Sequence, residues 1–133
     1  MTIKDRLTEL GITLPAAAAP AGSYMPTART GNLLFTAGQL PYVDGRLPAT
    51  GRVGAEVSPE DAKGYARQSA LNLLAAVEAA VGLDNVERVV KVVGFVASAE
   101  GFTGQPGVIN GASDLFFEVF GAPVEVEAIL QVR

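Results

Sequence analysis

The sequence predicts an α+β fold, a mixed β-sheet with two helices packed on one of its faces, and three observations carry that expectation. The stretch "SYMPTARTGNLLFTAGQLPYVDGRL" holds two tight-turn dipeptides, Gly31-Asn32 and Asp44-Gly45, between extended runs, which is the pattern of a β-meander. Two later segments, 58–81 and 108–120, space their apolar residues at a helical period. Each of these helices leads into a strand pattern, so the order reads β-β-β-α-β-α-β.

The elements follow in chain order. Thr2 caps a short helix running to Leu10, after which "PAAAAPAG" is a Pro/Ala connector. Residues 1–20 are thus a prefix within a single domain spanning 1–133. Residues 33–36 form the central strand of the meander. At "SPED" an N-cap Ser58 precedes Pro59 at the first helical position and an acid three residues after the cap. Ala62, Ala66, Ser69, Leu73, Val77 and Ala80 then keep a helical stripe until Gly82 stops it. An acid-led turn around Asp84 opens "VVKVVGFVA", residues 89–97, apolar at nearly every position and so expected to be covered on both faces. The loop "SAEGFTGQPG" leads to the second helix, 108–120, which Gly121 caps before a strand begins at Pro123.

Two helices account for one face of this sheet. The other must meet either water or another subunit, and the doubly apolar run 89–97 argues for a subunit. In the terminal strand Val124, Val126, Ala128, Leu130 and Val132 alternate with Glu125, Glu127, Ile129 and Gln131, and the first set belongs under the helices. Glu125 and Glu127 then project toward the face assigned to subunit contact. A carboxylate held in an oligomer cleft is partly desolvated and can serve as a general base. The same alternation also fits solvated strand residues or interface salt bridges.

Composition narrows the chemistry. A chain of 133 residues that is 49% apolar can bury one ordinary core. It has no Cys and no His, which removes disulfides, thiol nucleophiles, imidazole bases and the usual zinc ligands, so no metal site is expected. A net charge of −4 and a pI near 4.7 leave no basic footprint for nucleic acid. The N-terminus alternates charges and does not resemble a secretory signal. Glu78 interrupts the most apolar run, "LNLLAAVEAAVGL", so no membrane span is expected. The location implied is cytoplasmic.

Other residues could carry chemistry, each with a plain structural counterpart. "GFTGQPG" could offer backbone N–H groups to an anion or be a flexible connection. Lys91, the one charge in an apolar strand, could form a Schiff base or snorkel from an edge. Tyr24 could line a cleft or pack. Gly38 in "FTAGQLP" lets backbone approach a ligand closely, or simply ends a strand.

The run "GNLLFTAGQLP", the helix around "ARQSALNLLAAVEAA", the strand "VVKVVGFVAS" and the closing "VEVEAI" together resemble the RidA/YjgF family, the reactive-intermediate deaminases also labelled endoribonuclease L-PSP. The resemblance extends in order from about Ala21 to the C-terminus. The N-terminal helix and "VINGASDLF" look closest to a longer branch of that family. It implies a chorismate-mutase-like α+β fold assembled as a homotrimer with ligand clefts between subunits. It further implies hydrolysis of enamine and imine intermediates such as 2-aminoacrylate, with no cofactor. Carried over residue by residue, the cleft tyrosine falls on Tyr24, the glycine and glutamine of the family's "SGQ" turn on Gly38 and Gln39, the helix asparagine on Asn110, and the water-orienting glutamate on Glu127. The serine of that turn is Ala37 here, so one hydroxyl is missing.

The resemblance breaks at "FGAP". There the family carries a strand with "R-S/T-x-V" and a loop with "LP", whose arginine clamps the substrate carboxylate, and neither is present. A strand with its loops is roughly 10 to 15 residues, and losing one would leave a strand missing beside the terminal one. The protein is therefore expected to be heavier than 13.7 kDa, with an arginine-bearing segment between Phe120 and Val124. Arg29 is a candidate substitute for that arginine, although its spacing does not require the role. Two functional classes stay open. One is an enamine/imine deaminase with Glu127 handling water. The other is a non-catalytic trimer that binds a small imino, enamino or keto acid, favoured if the arginine is absent. RNA cleavage receives little support from an acidic chain without histidine.

Overall fold

The structure is a computed structural model and describes residues 1–121 and 129–132. Helix α1, Ile3–Glu9, opens on a capping box: Thr2 Oγ1 accepts from the Asp5 N–H and the Asp5 carboxylate accepts from the Thr2 N–H, both at 3.0 Å. The helix is fastened at its start and at its middle. Asp84 accepts from the Ile3 N–H at 2.8 Å, and Arg6 Nε donates to the Glu118 carbonyl at 2.9 Å. Leu7 is its buried residue.

Strands β1, Thr27–Thr30, and β2, Leu33–Thr36, form the first hairpin. Its two-residue turn has positive φ only at Gly31, where the absence of a Cβ removes the penalty. The second expected turn is also present: Asp44 and Gly45 both take positive φ, and Val43 and Arg46 exchange both backbone hydrogen bonds. It joins no third meander strand, however. Val43–Arg46 is a single bridge, and Pro41, which has no N–H, sits where a ladder would have to run.

Helix α2, Pro59–Val81, starts where Ser58 Oγ accepts from the Asp61 N–H at 3.1 Å and ends at Gly82 with φ 79°. Its buried stripe passes through Ala62, Ala70, Leu74 and Val77, so toward its end Leu74 takes the core position expected of Leu73, and Ala80 is exposed. A 3-10 turn, Leu83–Asn85, leads into β3, Val86–Lys91. Helix α3, Gln105–Phe120, begins three residues earlier than the periodicity indicates because Pro106 fits its first turn. Gly121 ends it in the left-handed conformation at φ 75°. The last strand is β4, Ile129–Val132.

The described strands make one sheet of order β1-β2-β4-β3, with every pairing antiparallel. The expected parallel component is confined to two single bridges of Val53, with Val57 and Ser98. Terminal strand β4 is flanked on both sides, so the vacancy expected beside it is filled. Among the described residues the strands with one neighbour are β1 and β3. Leu34, 1% exposed, pairs with Leu130, which also pairs with Val89. Helices α2 and α3 cover that face over Leu74, Val77, Leu115, Phe116 and Val119. A second, smaller cluster of Val53, Val57, Ala62 and Val108 sits under Phe102 and Tyr65.

The apolar run 89–97 is not a single strand, and within the protomer only one of its faces is covered. Only its beginning lies in β3, and bulges between Val86 and Arg88 and between Val89 and Lys91 turn the buried positions to Val86, Val89 and Val92. Val90, Val93 and Phe95 lie on the surface of the protomer, Phe95 at 93% exposure.

Candidate functional site

The hairpin brings two of the expected site segments together. Its pairing continues past the strands, with the Ala37 N–H donating to the Pro26 carbonyl at 2.9 Å, which sets 24–26 beside 37–39. Tyr24 is 46% exposed, its ring alongside Gly22 and its hydroxyl accepting from the Ala21 N–H at 3.3 Å. Gly38 is exposed, with no atom within 4 Å of the position a Cβ would take, so its main chain is open to a ligand. Gln39 is half-buried next to it.

Beyond Gln39 the chain runs as an irregular segment whose carbonyls have no ladder to join. Helix α2 supplies the partners. Asn72 Nδ2 donates to the Leu40 carbonyl at 2.9 Å and to the Tyr42 carbonyl at 3.0 Å. Gln68 Nε2 donates to Asn72 Oδ1 at 3.1 Å and approaches the Tyr42 carbonyl at 3.4 Å. Asn72, 7% exposed, is the buried polar side chain of the described residues, and every donor and acceptor of its amide is used. Sequence reasoning missed this pair. The available signal was two amides, Gln68 and Asn72, one helical turn apart on α2.

On the face of the hairpin away from the helices the sheet presents Leu33 and Phe35, at 36% and 40% exposure, in register with Gln131 and Ile129 of β4. Val90, Val93 and Phe95 are exposed as well, and Arg88 and Lys91, in register with Gln131 and Ile129, share the face of Leu33 and Phe35. Arg29 pairs with Leu34 and so occupies a helix-side position on edge strand β1, its Nε donating to the Gly31 carbonyl at 3.0 Å. It therefore does not stand on the open face, where a substitute anion clamp would be needed. Lys91 is exposed at the end of β3.

Asn110 is exposed on α3 and lines a recess of about 260 Å³ with Gln105, Pro106, Ile109 and Ser113. No hydrogen bond among the described residues joins it to Tyr24 or Gly38. The "GFTGQPG" loop is a packed connection: Gln105 Nε2 donates to Ser98 Oγ at 3.1 Å and to the Phe102 carbonyl at 2.8 Å, and the Phe102 ring lies against Gly54 and Gly104. Its helix start has no side-chain cap.

Glu127 and Glu125, and the junction between Phe120 and Val124 apart from Gly121, lie outside the described residues. Two described carboxylates have lowered pKa values, and both serve local structure. The Asp5 carboxylate is held down first by the Thr2 N–H, and Glu56 by the Arg52 N–H at 2.8 Å. Between α2 and α3, Lys63 and Arg67 reach Asp114 and Glu118 at 3.9 and 3.2 Å across a shallow groove. No described helix is long and apolar enough to cross a membrane.

This geometry has relatives. The family model described as "YjgF/chorismate_mutase-like, putative endoribonuclease" matches residues 4–130. "Protein TCP17" of Trypanosoma cruzi is 46% identical over 123 residues, which is 92% of this chain and 77% of that protein. Among solved structures, Atu1372 of Agrobacterium tumefaciens, a protein of unknown function, superposes with a TM-score of 0.87 at 39% identity, covering 98% of this chain and 92% of that one. A "putative endoribonuclease" from Shewanella oneidensis MR-1 superposes with a TM-score of 0.85 at 26% identity, covering 99% and 100%. With one face of its sheet under two helices, an exposed glycine turn at the end of its hairpin, and a family match over nearly its whole length, the chain belongs to the YjgF/chorismate-mutase-like family.

Proposed function

We propose that this protein is an enamine/imine deaminase that works in clefts between the subunits of a homotrimer. The observation that carries the reading is the open sheet face, where Leu33, Phe35, Val90, Val93 and Phe95 are left exposed by a protomer whose helices all lie elsewhere. Covering that face with further copies of the chain buries the apolar surface and places the Tyr24 and Gly38-Gln39 segments at the margin of a cleft. Family membership supports the same arrangement.

The chemistry needs no cofactor. An enamino acid such as 2-aminoacrylate tautomerises to its imine, and water adds to the C=N carbon. The resulting carbinolamine expels ammonia and leaves a keto acid. In this reading Glu127 takes the proton from the attacking water, Gly38 exposes its main chain to the ligand, and Gln39, Tyr24 and Asn110 contribute polar contacts. A soluble cytoplasmic setting, where such intermediates arise, suits the same reading. A second reading, a trimer that binds the metabolite without turning it over, is favoured by one feature of the sequence: no arginine or lysine occurs between Lys91 and Arg133. A substrate carboxylate is best held by a bidentate guanidinium.

The test is ammonia release from 2-aminoacrylate generated in situ. Wild type is expected to accelerate it, Glu127→Gln to abolish the acceleration without altering assembly, and Glu125→Gln to matter much less. Equal rates for wild type and Glu127→Gln would remove Glu127 from the mechanism. Saturable binding of the acid without turnover would favour the second reading.

A further inference from the structure

Residues 38–43 carry the exposed Gly38, yet no strand ladder holds them. What fastens them is the amide pair on α2. The single nitrogen of Asn72 bridges the carbonyls of Leu40 and Tyr42, which flank a proline that has no N–H to offer. Gln68 holds that amide in place by donating to Asn72 Oδ1. Burial makes the arrangement stringent on the helix side: Asn72 is 7% exposed, so its amide must find its partners within the protein.

We propose that Asn72 and Gln68 are positioning residues of the ligand site: from inside the helix layer they set the course of 38–43 and so fix where Gly38 and Gln39 present themselves. The inference deepens the deaminase reading and rests on it for the identity of the ligand. Neither amide touches the ligand. An asparagine is suited to the task because its nitrogen carries two hydrogens in one plane, one for each carbonyl. Leucine would fill the space and bridge nothing. Aspartate would keep the shape but turn carboxylate oxygens toward two carbonyl oxygens.

The experiment uses the whole chain and the variants N72D and Q68L, with two independent readouts. In hydrogen exchange, N72D is expected to speed the amides of 38–43 about tenfold, a loss on the scale of one buried hydrogen bond, while those of α3 and β3 keep their wild-type rates. In turnover of 2-aminoacrylate, KM is expected to rise about tenfold with kcat nearly unchanged, because a misplaced binding segment weakens ground and transition states alike. Q68L should show the same pattern with smaller amplitude. The N72D defect should shrink as pH falls, since a protonated carboxyl can again donate to one carbonyl. Exchange that rises evenly over all elements, or a KM that stays at the wild-type value, overturns the proposal. If wild type shows no turnover, the deaminase reading fails separately. The exchange readout then decides the clamp by itself: unchanged rates at 38–43 overturn it, and a localised increase supports it.

Discussion

Gly111 lies on α3 where that helix crosses α2, and the Cβ it lacks would overlap the carbonyl oxygen of Lys63 and come within 2.9 Å of the carbonyl carbon. Gly111→Ala therefore sets two effects against each other. Replacing glycine inside a helix with alanine gains about 1 kcal/mol from backbone entropy. Forcing a methyl into a packed interface costs about 1–3 kcal/mol, and more where the obstacle is main chain. The obstacle here is the backbone of α2, so the clash should win by roughly 1–2 kcal/mol. Gly64, on α2 beside the same groove, is the control: nothing lies within 4 Å of its missing Cβ, and Gly64→Ala should gain about 1 kcal/mol. The two variants should differ by roughly 2–3 kcal/mol, which at a urea slope of about 1–3 kcal/mol per molar separates their midpoints by about 1 M or more. Urea unfolding at one fixed protomer concentration measures it, since the proposed assembly would make midpoints concentration-dependent. A Gly111→Ala protein as stable as Gly64→Ala would refute the close crossing of α2 and α3.

Two further outcomes are expected. The lowered pKa of Asp5 means that its capping contribution is fully present above the ordinary carboxylate range and is lost as pH falls through the lower folded-state value. Amide protection across α1 should accordingly be weaker in Asp5→Asn than in wild type at neutral pH, with the two converging in acid; a difference that persists below that range would refute the assignment. With β4 already flanked on both sides, a further strand has room only at an outer edge such as that of β3, and intact mass with peptide mapping tests for it: the expectation is a protein heavier than 13.7 kDa, with an arginine-bearing segment between Phe120 and Val124. A mass matching 133 residues would make the short junction real and move the functional reading toward binding.

Local rules made much of the fold legible. Thr2, Ser58, Gly82 and Gly121 mark helix ends through side-chain caps and left-handed or positive φ, and those marks depend on a few neighbouring residues. The Gly31-Asn32 and Asp44-Gly45 turns are present for the same reason. What local rules do not contain is pairing. Asp44-Gly45 makes its turn but recruits no strand, because Pro41 denies the ladder a donor. The run at 89–97 is apolar for two different reasons, a core face at Val89 and Val92 and a surface face at Val90, Val93 and Phe95, and bulges rather than alternation decide which is which. Of the candidate site, the segments that carry Tyr24 and Gly38-Gln39 run beside each other because the first hairpin continues to the bond from the Ala37 N–H to the Pro26 carbonyl. Gln68 and Asn72, one turn apart on α2, mark themselves as a pair, but what they hold is not in that spacing, because their partners are backbone carbonyls and those of Asn72 lie 30 and 32 residues away.

The claim at the centre of this account is that the open face of the sheet is completed by other copies of the chain and that turnover depends on it. The most direct measurement is light scattering in parallel with 2-aminoacrylate hydrolysis, on wild type and on Phe35→Glu, which puts a charge in the middle of that face. Wild type should have three times its protomer mass and be active, whereas Phe35→Glu should fall to a folded monomer without turnover. A monomeric wild type, or a monomeric Phe35→Glu protein that retains full activity, would contradict it.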